Sequence, residues 1–148
     1  MSDKSTAAQP ATERRSLKAE EIMRRPVLAA TPRASLRDVA VQLVSNEISG
    51  MPVAAPDGRV IGVVTEADIV RALAEGKRLE NLTATDVMTG PPITVDADTT
   101  IEDVVKRLQE NNIVRVPVTE KNVLVGIIAR RDVIKAFLEP EFITFGSL

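Results

Sequence analysis

Thr65 and Asp68 lie three residues apart, where an apolar run, Val60-Ile-Gly-Val-Val64, gives way to a polar stretch with helical spacing. A strand entering a helix there presents free backbone N–H groups and the positive end of the helix dipole. Both favour a phosphate, and a threonine hydroxyl can donate to the same oxygens. A carboxylate just inside the helix can accept hydrogen bonds from both hydroxyls of a ribose. The same spacing also makes a capping box with Asp in place of Glu, which starts a helix and needs no ligand. A second segment, Gly126-Ile-Ile-Ala129-Arg-Arg-Asp132, keeps the carboxylate and loses the hydroxyl. A capping explanation is weaker for Asp132, although the dipole alone favours an acid at that place. Arg130 and Arg131 supply guanidinium groups that can meet phosphate where the hydroxyl is missing, or that simply solvate a helix start.

Other chemistry is limited by what the chain lacks. It has no Cys, His, Trp or Tyr, and its three aromatics are Phe137, Phe142 and Phe145. A Cys/His zinc site, a thiol nucleophile, a serine triad with a His base and a thiol redox pair therefore all lack their reactive group. An adenine bound before residue 137 must lie between aliphatic side chains rather than on an aromatic ring. With 19 basic and 21 acidic residues, the formal charge of -2 gives no positive field to gather nucleic acid or an anionic membrane. At 148 residues, 44% apolar and 27% charged, the composition is that of a folded protein of one or two small domains. No run reaches membrane-spanning length and the N-terminus has no signal-peptide core, so the expected location is the cytoplasm.

The elements that must position these residues occur twice. Leu17 to Leu73 can be laid over Leu82 to Phe137 with one single-residue gap: Met23 on Met88, Pro26 on Pro91, Asp38-Val39 on Asp103-Val104, Pro52-Val53 on Pro117-Val118, Gly62 on Gly126 and Asp68 on Asp132. A period of roughly 65 residues written twice points to two packed domains rather than a solenoid. The expected divisions are a flexible tail over 1–16, a first repeat over 17–80, a second over 81–138 and a C-terminal tail over 139–148. Phe142 and Phe145 in that last tail are expected to dock on the protein's own core.

Each repeat reads β-α-β-β-α. The first strands are expected at Val27 to Ala30 and Pro92 to Val95. Helices follow, with Leu36, Val39, Ala40, Leu43 and Val44 on one apolar face and Ile101, Val104, Val105 and Leu108 matching them. Ser35 with Asp38, and Thr99 with Glu102, resemble helix-start caps. Hairpins turn at Pro56-Asp57-Gly58 and Lys121-Asn122, and closing helices carry Ile69, Val70 and Leu73, then Val133, Ile134, Phe137 and Leu138. The runs Val60 to Val64 and Val123 to Ile128 do not alternate, which predicts strands buried on both faces and clefts between the repeats.

Both series together resemble a pair of CBS domains over residues 17 to 138. The segments that carry the resemblance are Ile22-Met23 and Val87-Met88, Gly50-Met-Pro-Val53 and Arg115-Val-Pro-Val118, and the two Gly-to-Asp motifs. The resemblance implies an α+β fold in which two β-α-β-β-α repeats pack about a pseudo-twofold axis and often dimerise. It also implies a regulatory, ligand-sensing module without catalytic residues or a metal, which binds an adenosine compound such as AMP, ADP, ATP or S-adenosylmethionine in clefts between the repeats. Such modules modulate a partner protein, here an unknown effector in trans. Carried over, Asp68 and Asp132 hold ribose hydroxyls, Thr65 meets phosphate, and Val63 and Ile127 line the adenine cleft, with Arg115 at a place where the family often has a basic residue. Ala129 departs from the family's Ser or Thr, so the second site has to rely on Arg130 and Arg131 or remain weak. The other readings are an interaction or dimerisation module with vestigial clefts, and an enzyme using Asp96, Asp98, Glu102 and Asp103 on a metal.

Overall fold

Helix starts are set by short polar side chains, and these define the repeat. The computed structural model describes residues 17–138; both expected tails, with Phe142 and Phe145, lie outside the described residues. Ser35 Oγ accepts the Asp38 N–H at 3.0 Å and opens helix α2 (Leu36–Ser45). In the second repeat Thr100, rather than Thr99, accepts the Asp103 N–H at 3.2 Å and opens α5 (Ile101–Glu110). The repeat offset itself pairs Ser35 with Thr100 and Asp38 with Asp103, so the spacing favoured the correct threonine over its neighbour. Two four-residue helices, α1 (Ala19–Ile22) and α4 (Ala84–Val87), precede the repeats' prolines.

The hairpins form as expected. Strand β1 (Gly50–Ala54) pairs antiparallel with β2 (Val60–Thr65), Met51 opposite Val64 and Pro52 opposite Val63, with an irregularity between Val53 and Ala54. Strands β3 (Val95–Asp96), β4 (Arg115–Glu120) and β5 (Val123–Ala129) form a sheet in that order, β3 running parallel to β4. Lys121 and Asn122 both have positive φ, 52° and 67°, which is the backbone a two-residue hairpin turn requires. The closing helices are α3 (Glu66–Ala74) and α6 (Arg130–Leu138).

The first strands are shorter than expected. Val27 to Ala30 contributes one parallel bridge, Ala30 to Val53, and Pro92 to Val95 contributes only Val95 to the two-residue β3. Proline has no N–H to give a ladder, and Pro26 and Pro32 flank the first segment while Pro91 and Pro92 open the second. Burial on two faces is also corrected. Along β2 and β5, buried Gly62, Val64, Gly126 and Ile128 alternate with half-buried Ile61, Val63, Val125 and Ile127. The apolar helix faces are likewise narrower: Leu36, Val39 and Leu43 are buried on α2, whereas Val44 is 78% exposed.

The described chain divides into two compact bodies whose limits differ from those of the repeat. One holds residues 27–93 with 122–124; the other holds 17–26, 94–121 and 125–138. The short lead segments account for the offset. Within the second body the Ala19 and Glu20 N–H groups donate to Thr99 and Ala97 carbonyls, and Ile101 N–H donates to Leu17. Within the first, Leu36 N–H donates to Leu82 and Ala84 N–H donates to Ala34. The first body's core gathers Leu36, Val39, Leu43, Met51, Val53, Val64, Ile69 and Ala72; Ile101, Val104, Leu108, Val116, Val118, Ile128, Val133 and Ala136 are buried in the other.

Candidate functional site

Each body contains one strand-to-helix turn of the same construction. In the first, the Glu66 N–H donates to Ser49 O at 2.9 Å, and Val63 exchanges backbone hydrogen bonds with Thr89 at 3.1 and 2.9 Å. In the second, the Arg130 N–H donates to Val114 O at 3.1 Å, and Ile127 exchanges bonds with Arg24 at 3.2 and 2.8 Å. Three chain segments thus converge on each turn: β2 or β5, the residue before β1 or β4, and the stretch after Met88 or Met23. Val63 and Ile127 sit half-buried beside the turn, and Arg115 begins the strand next to it.

Both carboxylates lie inside this frame. Asp68 is 4% exposed: Oδ2 accepts the Thr65 N–H at 2.8 Å and the Thr65 hydroxyl at 3.0 Å, and Oδ1 accepts Arg71 Nη1 at 3.1 Å. The Asp68 N–H returns to Thr65 Oγ1 at 3.4 Å, completing a capping box. Asp132 is 8% exposed: Oδ2 accepts the Ala129 N–H at 2.8 Å and Oδ1 accepts Arg24 Nε at 2.9 Å. The cap therefore survives in half form where the hydroxyl is lost, and a guanidinium from 108 positions away takes the second oxygen. With two acceptor lone pairs per oxygen, Asp68 keeps one further acceptor place, on Oδ1, and Asp132 keeps one on each oxygen.

Arg130 and Arg131 stand exposed at the start of α6 and make no side-chain hydrogen bond or ion pair with another described residue. Arg24 was not among the residues singled out from sequence. The signal was present in the alignment, since Arg24 falls opposite Thr89, but only the fold shows that this residue reaches Asp132. Restoring the missing hydroxyl gives a direct check on the half cap. Ala129→Thr is expected to stabilise the chain by about 0.5–1 kcal/mol, read as a rise in the thermal midpoint. No rise would mean that Arg24 already satisfies the turn.

The acidic group at the start of α5 has a local explanation. Among the described residues no three carboxylates gather in a way that could hold a metal ion. Asp103 and Glu102 lie in the first turn of α5, where acids suit the dipole. A hydrogen bond to Asp96, and the charge of Asp96, raise the pKa of Asp98 above the ordinary aspartate value. None of the described helices is long and apolar enough to cross a membrane.

The doubled turn, with its buried Asp at the end of an apolar strand, coincides with a match to the CBS domain at residues 19–75 and 84–139. The chain belongs to the CBS domain family. Its mixed helix-and-strand repeats are those of a CBS domain pair. The CBS domain pair of a protein crystallised with 5′-methylthioadenosine and S-adenosyl-L-methionine superposes with a TM-score of 0.73 at 28% identity, covering 82% of this chain and 95% of that one. A CBS domain protein from Pyrobaculum aerophilum complexed with AMP gives 0.73 at 30% identity, covering 78% and 89%. Among curated relatives, an uncharacterized protein of Methanopyrus kandleri is 28% identical over 123 residues, 82% of this chain. The chain spans 63% of that relative's length, and 23% of the L-aspartate semialdehyde sulfurtransferase of Methanocaldococcus jannaschii that it also matches.

Proposed function

We propose that this CBS pair is a regulatory module that binds an adenosine compound at the Asp68 and Asp132 turns and modulates a partner protein in trans, in the cytoplasm and as a homodimer. The observation that carries it is the repetition, in both bodies, of a nearly buried carboxylate at the end of a strand whose neighbour, Val63 or Ile127, is half-open. A ribose needs the first and an adenine needs the second. That related CBS pairs are crystallised with AMP, with S-adenosylmethionine and with methylthioadenosine supports the ligand class. In this reading Asp68 and Asp132 accept the ribose hydroxyls. Thr65 in one site, and Arg130 and Arg131 with Arg115 in the other, meet the substituent at the 5′ position. No residue is assigned a catalytic role or a metal.

A second reading has its own observation. Asp68 and Asp132 already accept hydrogen bonds from within the chain on both oxygens, as a purely structural cap would. On that view the module serves only to join proteins. Thermal unfolding followed by circular dichroism separates the two, since a chain without Trp or Tyr offers little fluorescence. AMP, ADP, ATP or S-adenosylmethionine at a hundredfold its dissociation constant should add about 2.7 kcal/mol and raise the midpoint by roughly 3–6 °C. Asp68→Ala and Asp132→Ala, each measured against its own ligand-free midpoint, should each remove one site's share of that shift. No shift with any of the four at millimolar concentration would leave the joining role.

A further inference from the structure

The two turns share a backbone and differ in charge. Around Asp132 the matched positions are Arg24, Arg25, Arg130 and Arg131; around Asp68 they are Thr89, Gly90, Glu66 and Ala67. These four positions thus hold four cations at one turn and one carboxylate at the other, where a single guanidinium, Arg71, is bound through Nη1 to Asp68 Oδ1. All four arginines belong to one compact body, and all four counterparts to the other. Each arginine is exposed, and Arg24 is fixed by its Nε on Asp132 Oδ1 with 53% of its side chain still open. A guanidinium held through Nε keeps both terminal NH2 groups for an anion, the fork geometry that suits phosphate. At the Asp68 turn the position matched to Arg130 carries the negative charge of Glu66, which repels an anion.

Resting on the ligand class proposed above, we infer that the two sites divide adenosine compounds by charge. The Asp132 site takes the polyphosphate nucleotide, through Arg24, Arg130 and Arg131. The Asp68 site takes an adenosine compound whose 5′ substituent is neutral or cationic, such as a thioether or sulfonium. One chain can then respond to two classes of adenosine compound.

The test is titration calorimetry on the full chain with ATP and 5′-methylthioadenosine, for wild type, Arg130→Gln/Arg131→Gln, and the same pair with Arg24→Gln. The double variant leaves the Arg24–Asp132 contact in place, so lost binding there does not reflect a damaged fold. ATP affinity should fall at least tenfold in the double variant and further in the triple, while methylthioadenosine changes less than twofold. Raising salt should weaken ATP and leave methylthioadenosine unaffected. In ATP-saturated wild type, methylthioadenosine should still titrate a separate site. Competition for one site, equal losses for both compounds, or unchanged ATP affinity would each overturn the division while leaving adenosine binding intact. No binding of either compound or of AMP to wild type would remove the ligand class and the division together.

Discussion

Gly126→Ala is expected to destabilise the chain by about 1–3 kcal/mol, and Gly62→Ala by a similar amount, although neither glycine sits in a turn. The cause is close approach. A Cβ at Gly126 would run into Met23 Sδ and lie 2.7 Å from its Cγ and 3.0 Å from its Cβ. At Gly62 the corresponding distances to Met88 are 2.5, 2.8 and 3.1 Å. A methionine can swing its sulfur aside but not its own Cβ, so the lead segment itself must move. That segment is pinned one residue later by the paired backbone bonds of Arg24 with Ile127, or of Thr89 with Val63. Chemical unfolding should show the loss. In a Met23→Ala background the penalty of Gly126→Ala should shrink, because the sulfur and Cγ clashes are gone. An unchanged midpoint for Gly126→Ala alone would mean that the lead segment yields freely and does not hold the turn in place.

This pairing of glycine with methionine explains what the sequence disclosed and what it hid. The repeat displayed Met23 with Met88 and Gly62 with Gly126 at constant spacing, and so revealed the doubled fold. It could not show that the methionine in each repeat's lead segment packs on the glycine of the body formed mainly by the other copy. Contacts between Met23 and Gly126 span about a hundred positions, and hydrophobic periodicity is blind at that range. The same holds at the site. Thr65 and Asp68 were legible because a cap is local, three residues long and chemically distinctive. Arg24 was not, since the Arg24-Arg25 pair before Pro26 carries no local signature of an ion pair with Asp132. The first strands failed for another reason. Val27 to Ala30 has strand composition, but the flanking prolines withhold the donors that a longer ladder needs. Burial of β2 and β5 is less complete than their composition suggests, because an unbroken run of valine and isoleucine fixes apolarity but not which face another element covers.

If the 16.0 kDa chain forms the homodimer proposed above, Val70→Glu/Ile134→Glu is expected to turn it into a monomer, with roughly a hundredfold loss of self-affinity or more. The two positions match between repeats, as do Leu73 and Phe137 one turn along, and all four are exposed. Each closing helix therefore has two apolar stripes. Ile69 and Ala72 on α3, and Val133 and Ala136 on α6, are buried within their own bodies. The second stripe faces outward; Val41 and Val44 on α2 and Val105 on α5 are exposed as well. Single exposed valines need no explanation, but an i, i+3 pair repeated on two matched helices is the pattern of a surface made to be covered. Burying each such side chain contributes about 1.5–3 kcal/mol, enough over four or more to offset the cost of association. A glutamate placed there without a partner must be desolvated, which costs several kcal/mol at each position. Sedimentation velocity should show wild type at twice the monomer mass at micromolar concentration and the variant at one. Circular dichroism should confirm that the variant stays folded, since both substituted side chains point away from the core. A wild type that sediments as a monomer would refute self-association. A variant that remains dimeric would place the contact elsewhere on the chain.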